Sequence, residues 1–410
     1  MANLEKIFGI KYKDVVSITG AGGKTSLMYY LGSNFKNSLM TTTTKLFVPE
    51  NKNVYIGEVP SIVDGPLVVA KKQVEDKLFG FDCSEILSFY SEFDHTFIEA
   101  DGARMKSLKG WNSTEPIICD FSNKTIGVLD ITTLGKNTEE TVFRLEEFSK
   151  ITSLEKNISI NNLVDIVLNE NGLFKNSKFR VLYINKVETK EDNHNVNLLV
   201  EKLMNDVRFN LDRIVFGSIQ KEEFELLYAK RGVFVLASGL SRRMGQDKLM
   251  MSLGDMVVIE HTLKKLSKFS DDLYIVTYDD RFTDLANKYG FKVLMNPHYK
   301  SGQSESIKRA LETDYHYYTF LLGDMPYLSE ETISELMGLR DDLVACRVDD
   351  FVTAPASLSY LYKSELISLT GDQGAKKVLM KHSSDIKYIE VLKQEVKDID
   401  TMSDLGGGDV

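Results

Sequence analysis

The 410-residue sequence predicts an α/β protein of two domains in series. Three observations carry that prediction. The length exceeds a single ordinary core, at roughly 100–200 residues per domain. Two short β-branched runs, at 15–19 and 232–237, each end in a glycine-containing loop that opens a helical pattern. After each loop, strand-length apolar runs alternate with helix-period stretches, the order that βαβ units produce.

The domains are placed at residues 1–225 and 226–410. In the first, strands are expected at 15–19, 39–42, 67–70, 96–100, 126–129, 180–184 and 214–217. Helices are expected after Lys24 and over 139–149, 162–168 and 196–207. The charged stretch 220–231 reads as a helical connector. In the second domain, strands at 232–237, 273–277, 318–322 and 343–346 alternate with helices at 258–267, 304–311 and 330–339. Parallel sheets with helices on both faces are the economical arrangement for both halves.

Composition narrows the function classes. Hydrophobic residues make up 43% and charged residues 27%, the usage of a folded soluble protein. The formal net charge of -10 argues against a nucleic-acid or anionic-membrane binder. The three cysteines, Cys83, Cys119 and Cys346, form no CxxC pair, so reduced, packed thiols in a reducing cytoplasm are expected. The first residues mix acidic and basic side chains where a signal peptide needs an apolar run, and no apolar run reaches the roughly 20 residues of a membrane span. A cytoplasmic protein with no membrane or nucleic-acid partner is expected. The six histidines show no metal-ligand spacing, so no zinc site is expected.

The first loop is Gly20, Ala21, Gly22, Gly23, Lys24 and Thr25. Glycines let backbone N–H groups turn onto phosphate oxygens, a lysine there reaches the β/γ-phosphates, a threonine holds Mg²⁺, and the helix N-terminus adds its dipole. It is a shortened phosphate loop, with Ile18 at the position six before Lys24 where the longer form has glycine. Farther on, an apolar run delivers Glu99 and Asp101, two carboxylates of the same strand parity, either of which suits Mg²⁺ or its water shell. Thr44 and Lys45 close a hydroxyl-rich strand end suited to a substrate or phosphate. Asn185 and Lys186 begin an Asn-Lys-x-Glu element that resembles a base-reading motif, with Glu188 where aspartate is usual.

These motifs, together with 134–136 and 143–144, in this order over about residues 5–220, resemble the selenium-dependent molybdenum hydroxylase accessory protein family, which is YqeC-like. The resemblance implies a P-loop-type nucleotide-binding domain that takes ATP or GTP and works in maturation of such a hydroxylase, whose apo form is then the expected protein partner.

The second loop runs through Leu236, Ala237, Ser238, Gly239, Ser241, Arg243, Gly245 and Lys248. Such a loop wraps a nucleotide, while Arg243 and Lys248 neutralise a triphosphate and the charge that develops on a leaving pyrophosphate. Asp324, delivered by an apolar strand and followed by Pro326, suits Mg²⁺ completed by phosphates. Asp400 is a candidate second ligand, and Gln303 and Ser304 lie in a polar loop that enters a helix.

About residues 232–405 resemble the molybdenum cofactor cytidylyltransferase family, which is MocA-like and has a Rossmann-like nucleotidyltransferase fold. The resemblance implies transfer of CMP from CTP to the molybdopterin cofactor with Mg²⁺. Two positions depart from the family pattern: Ser238 leaves base choice open, and the 354–356 element differs where acceptor contacts are usual. The short spacing from Met244 to Lys248 favours the cytidylyl group. A pterin guanylyltransferase, a sugar-phosphate nucleotidyltransferase and an NTP-switched cofactor chaperone that docks on an apo-hydroxylase remain open.

Overall fold

The computed structural model describes residues 4–49, 54–57, 59, 65–239, 247–269, 271–399, 401 and 404. It divides into two compact units, Met1–Ala229 and Lys230–Val410.

The first unit is built on a nine-stranded sheet, in spatial order Glu223–Ala229, Arg213–Ser218, Arg180–Asn185, Lys124–Asp130, Val15–Gly20, His95–Glu99, Ser38–Thr42, Leu67–Ala70 and Val54–Ile56. All neighbours pair in parallel except Glu223–Ala229, which closes one edge antiparallel to Arg213–Ser218. Central strands are buried on both faces, and Val15–Gly20 is buried throughout, with Ser17 and Thr19 satisfied by Ser122 and Leu173 O. Their side chains alternate. Val16 and Ile18 join the core beneath helix Lys24–Asn34, while Val15 belongs to the core beneath the opposite face. Helices Ile160–Leu168 and Lys190–Met204 pack over Leu182, Ile184 and Ile214. Each begins with a capping box, on Ser159 and Thr189, that satisfies the first orphan N–H groups.

The second unit has a seven-stranded sheet ordered Lys292–Met295, Asp272–Thr277, Arg231–Ala237, Tyr317–Leu322, Phe351–Ser359, Leu343–Val348 and Lys387–Glu390. Phe351–Ser359 runs antiparallel to both neighbours. Helix Gln303–Leu311 covers the face that carries Phe234 and Leu236, and helices Val258–Leu266 and Phe282–Tyr289 cover the face that carries Val233 and Val235.

The structure corrects four expectations. The expected helical connector 220–231 is instead the strand Glu223–Ala229. Phe224 and Leu226 share one core, and after a register shift opposite Ile214 and Val215 both Leu227 and Tyr228 join another, so neither the charges nor a regular alternation marks the strand. It completes the first sheet, and the division falls after Ala229, within the stretch 220–231 that was expected to hold the boundary. The expected helix 139–149 is broken into Thr138–Thr141 and Leu145–Ser149. Between them Val142–Phe143 pairs with Leu108–Lys109, and Arg144 takes a left-handed backbone (φ 57°). Each main sheet carries one antiparallel strand where all-parallel sheets were expected. Finally, Cys83 and Cys119 are joined in a disulfide, and only Cys346 is free. No spacing rule anticipates a pair that the tertiary fold brings together across 36 residues. Among the described residues no helix is long and apolar enough to cross a membrane.

Candidate functional site

Each unit has a cleft at the carboxyl ends of its central strands. In the first, strand order reverses around Val15–Gly20: the chain goes next to Ser38–Thr42 on one side and later to Lys124–Asp130 on the other. Such reversals open ligand crevices in open α/β sheets.

The glycine loop lies there. Gly22 (φ 79°) and Gly23 (φ 135°) are left-handed, and a Cβ on them would lie 2.4 Å from Asp130 Cβ and 2.3 Å from Asn185 Nδ2. Only glycine fits either position. Asn185 Nδ2 donates to Gly22 O (2.9 Å), and its own Oδ1 accepts from the Tyr183 hydroxyl (2.9 Å). Asn185 therefore clamps the loop from a neighbouring strand. Helix Lys24–Asn34 starts at Gly23 with no side chain capping it, which leaves its first N–H groups for an anion.

Lys24 is buried between Glu99 Oε1 (3.7 Å) and Asp101 Oδ1 (3.4 Å), and the Thr25 hydroxyl donates to Glu99 Oε2 (2.7 Å). Burial alone would lower the Lys24 pKa, but Asp101 and Glu99 outweigh it and hold the ammonium above its ordinary value. Burial pushes the Glu99 carboxyl up, against the opposing pull of Lys24 and Thr25.

The two carboxylates play different parts. Glu99 lines the cleft. Asp101 is fully buried behind the loop, where it accepts from Gly20 N (3.2 Å) and Trp111 Nε1 (2.7 Å) and faces Lys109 Nζ (3.2 Å). It ties the loop to the sheet. Ala21 is also buried and donates its N–H to Val128 O (3.2 Å). Thr44 contacts Thr42 Oγ1 through its hydroxyl (3.2 Å), and Lys45 lies over the Phe79 ring (4.5 Å). Lys186 pairs with Asp130, and Glu188 accepts from the Ser218 hydroxyl (2.7 Å). Lys24, Thr25, Thr44, Lys45, Asn185 and Lys186 all line this one cleft of about 1740 Å³.

Sequence reasoning missed Lys109, Trp111 and Glu115, which stand behind the cleft or at its wall. They lie on a stretch without periodicity, where a single tryptophan was the only signal.

In the second unit, Leu236, Ser238, Gly239, Lys248, Gln303 and Asp324 line a cleft of about 570 Å³. Lys248 Nζ lies 2.6 Å from Asp324 Oδ2. The buried Asp324 Oδ1 has no hydrogen-bond partner among the described residues. Ser238 turns its hydroxyl to Val276 O (3.1 Å), and Ala237 is buried in the sheet. Gly302 (φ 105°) meets Gly371 so closely that a Cβ would lie 2.2 Å from its carbonyl carbon. Ser304, expected at the nucleotide, is instead fully buried and donates its backbone N–H to Gly371 O (3.0 Å). Its part is to hold the Gly371–Asp372 turn against the cleft. Tyr299, stacked on Tyr278 (4.1 Å between ring centres), is a lining residue that the sequence did not mark. Ile399 N donates to Asp324 O (3.1 Å). Ser241, Arg243, Gly245 and Asp400 lie outside the described residues. No cluster of three or more metal-ligating His, Cys, Asp or Glu side chains occurs among the described residues.

Residues 16–146 match the family model described as YqeC protein, and residues 233–386 match the MobA-like NTP transferase domain. YqeC of Escherichia coli (strain K12) is 31% identical over 232 residues, covering 52% of this chain and 90% of that relative. A probable molybdenum cofactor guanylyltransferase of Natranaerobius thermophilus is 35% identical over 112 residues, and the molybdenum cofactor cytidylyltransferase of Escherichia coli (strain K12) is 30% identical over 112 residues. Each of these two alignments covers 26% of this chain, and 54% and 58% of the relative, so the chain spans just over half the length of these transferases. With 90% of a 31%-identical relative covered, the chain belongs to the YqeC family, and residues 233–386 beyond it are similar to the MobA-like NTP transferase domain.

Proposed function

We propose that the second unit is a molybdenum cofactor cytidylyltransferase and that the first binds ATP or GTP at Gly20–Thr25 in maturation of a selenium-dependent molybdenum hydroxylase. The observation that carries the transferase reading is Asp324. It stands at the end of a central strand, in a cleft, with one carboxylate oxygen on Lys248 and the other buried without a hydrogen-bond partner among the described residues. An orphaned buried carboxylate oxygen beside a glycine loop fits Mg²⁺, which is commonly held by one or two carboxylates plus substrate phosphates.

In this reading the phosphate of molybdopterin attacks the α-phosphorus of CTP. A P–O bond forms there as the bond to pyrophosphate breaks, and Mg²⁺ supplies charge neutralisation. Lys248 leaves Asp324 for the triphosphate, Arg243 assists it, and Gly239 permits close approach of backbone to nucleotide. Asp400 is the proposed second metal ligand. No protein nucleophile is required, so the site works by alignment and charge. In the first unit, Lys24 serves the β/γ-phosphates, and Thr25 with Glu99 serves Mg²⁺.

Relatives of both base specificities share the second unit's similarity, so guanylyl transfer is the competing reading. The short spacing from Met244 to Lys248 supports CTP. The test is pyrophosphate release by the full-length chain with Mg²⁺ and molybdenum-loaded molybdopterin, comparing CTP, GTP and ATP. Release with CTP, lost in a folded Asp324→Ala variant, is expected. Release with GTP alone overturns the base assignment. Silence with all three, with cofactor still bound, favours the chaperone.

A further inference from the structure

We infer that the first unit's cleft seats two ligands side by side, and that its second seat, built on Arg104, Phe143 and Arg144, recognises a phosphate monoester. The first seat rests on the nucleotide reading of the glycine loop; the second does not. Single-ligand pockets commonly measure about 300–1,000 Å³, and this open cleft measures about 1740 Å³.

The lining charges are uneven along the sheet edge, although Lys186 stands on the acidic side and Glu99 and Glu115 on the basic side. Beyond strands Arg180–Asn185 and Arg213–Ser218, it carries Glu188, Glu191 and Asp192. The loops that follow His95–Glu99 and Ser38–Thr42, on the other side of the glycine loop, contribute Arg104, Lys106 and Lys45.

Arg144 is drawn to that basic side by a bidentate pair with Glu115 (2.8 and 3.1 Å). Glu115 is fixed in turn by Lys109 (2.8 Å), a fully buried ammonium that also donates to Gly102 O (2.6 Å). The guanidiniums of Arg104 and Arg144 lie 5.2 and 5.0 Å from the centre of the same ring, Phe143. Arg104 (φ 46°), Met105 (φ 63°) and Arg144 (φ 57°) all have left-handed backbones, a conformation that residues with side chains rarely adopt and that gathers at ligand clamps. Two guanidiniums oriented about one aromatic ring suit the planar, multidentate recognition of phosphate. The acidic flank repels such a group. A phosphate on the basic flank sits across from the glycine loop, beside the nucleotide and not in place of it.

The test uses the full-length chain and titration calorimetry with phenyl phosphate, in the presence of Mg²⁺ and a saturating non-hydrolysable ATP or GTP analogue. Phenyl phosphate should bind with the analogue in place. Arg104→Gln should weaken it at least tenfold while analogue affinity changes less than twofold. Arg104 is exposed, so this variant is expected to fold, with Trp111 emission as the check; Arg144→Gln should give the same loss. Lys24→Met should remove analogue binding and leave phenyl phosphate binding intact. Should wild type fail to bind the analogue, the nucleotide reading fails, and the phenyl phosphate titrations of wild type and Arg104→Gln still decide the second seat. Displacement of phenyl phosphate by the analogue, or binding unaffected by Arg104→Gln, overturns the proposal. Inorganic phosphate binding as tightly as phenyl phosphate overturns the monoester assignment.

Discussion

Replacing Asp101 with alanine tests what holds the glycine loop in place. Asp101 is fully buried and faces four donors: Gly20 N, Trp111 Nε1, Lys109 Nζ and Lys24 Nζ. Its removal strands two buried ammonium groups. Breaking a buried ion pair by deleting one partner costs about 3–5 kcal/mol, since the remaining charge is uncompensated. Lys24 keeps Glu99 and Lys109 keeps Glu115, so the lower end applies, about 3 kcal/mol. For a unit of this size, 1 kcal/mol moves Tm by about 2–4 °C, so a fall of about 6–12 °C is expected. Trp111 is the sole tryptophan of the chain and donates to Asp101 itself, so its fluorescence reports the first unit's transition without signal from the second. Thermal melts of wild type, Asp101→Asn and Asp101→Ala should rank in that order of decreasing stability, because asparagine keeps an acceptor but loses the charge. A Tm for Asp101→Ala within about 2 °C of wild type would refute the reasoning.

Glu99 gives a pH dependence. Burial raises its folded-state pKa above the ordinary 4.5, so its contribution to stability is fully present below about pH 4.5 and is lost as pH rises through the higher folded value. Wild type should therefore lose stability relative to Glu99→Gln as pH climbs from 4.5, read by denaturant melts of Trp111 fluorescence; a difference that does not change with pH would exclude the raised value. The disulfide closes a 36-residue separation, so Cys83→Ser or reduction should cost about 2–4 kcal/mol in the same melts, and an unchanged midpoint with reductant would argue that the thiols are unpaired.

Much of the lining of both clefts was legible in the chain because glycine loops and strand-end side chains leave local signatures. The glycines of 20–23 announce backbone that residues with side chains rarely adopt, and Lys24 and Thr25 follow at fixed offsets. Asp324 announces itself at the end of an apolar run. Glu188, which departs from the base-reading motif, lies in the same cleft as the rest. These are short-range facts, and the sequence by itself determined them, together with the α/β class and the order of two units.

The choice between Glu99 and Asp101 was invisible, since strand parity gives both the same face. Only the tertiary structure separates them, by bringing Trp111 and Lys109 back onto Asp101 and leaving Glu99 at the cleft. The strand at Glu223–Ala229 was masked for a related reason. Its charges suggest a solvated helix, and its extended pairing is fixed only when Phe8 and Tyr183 arrive to pack against Phe224. Likewise the Cys83–Cys119 pair, the Glu115–Arg144 tie and the turn that Gly302 and Ser304 hold against Gly371 join residues far apart in sequence. Local propensity and spacing carry no term for such contacts. They exist because burying a charge or a polar atom demands a partner, and in this chain the partner comes from elsewhere in the fold.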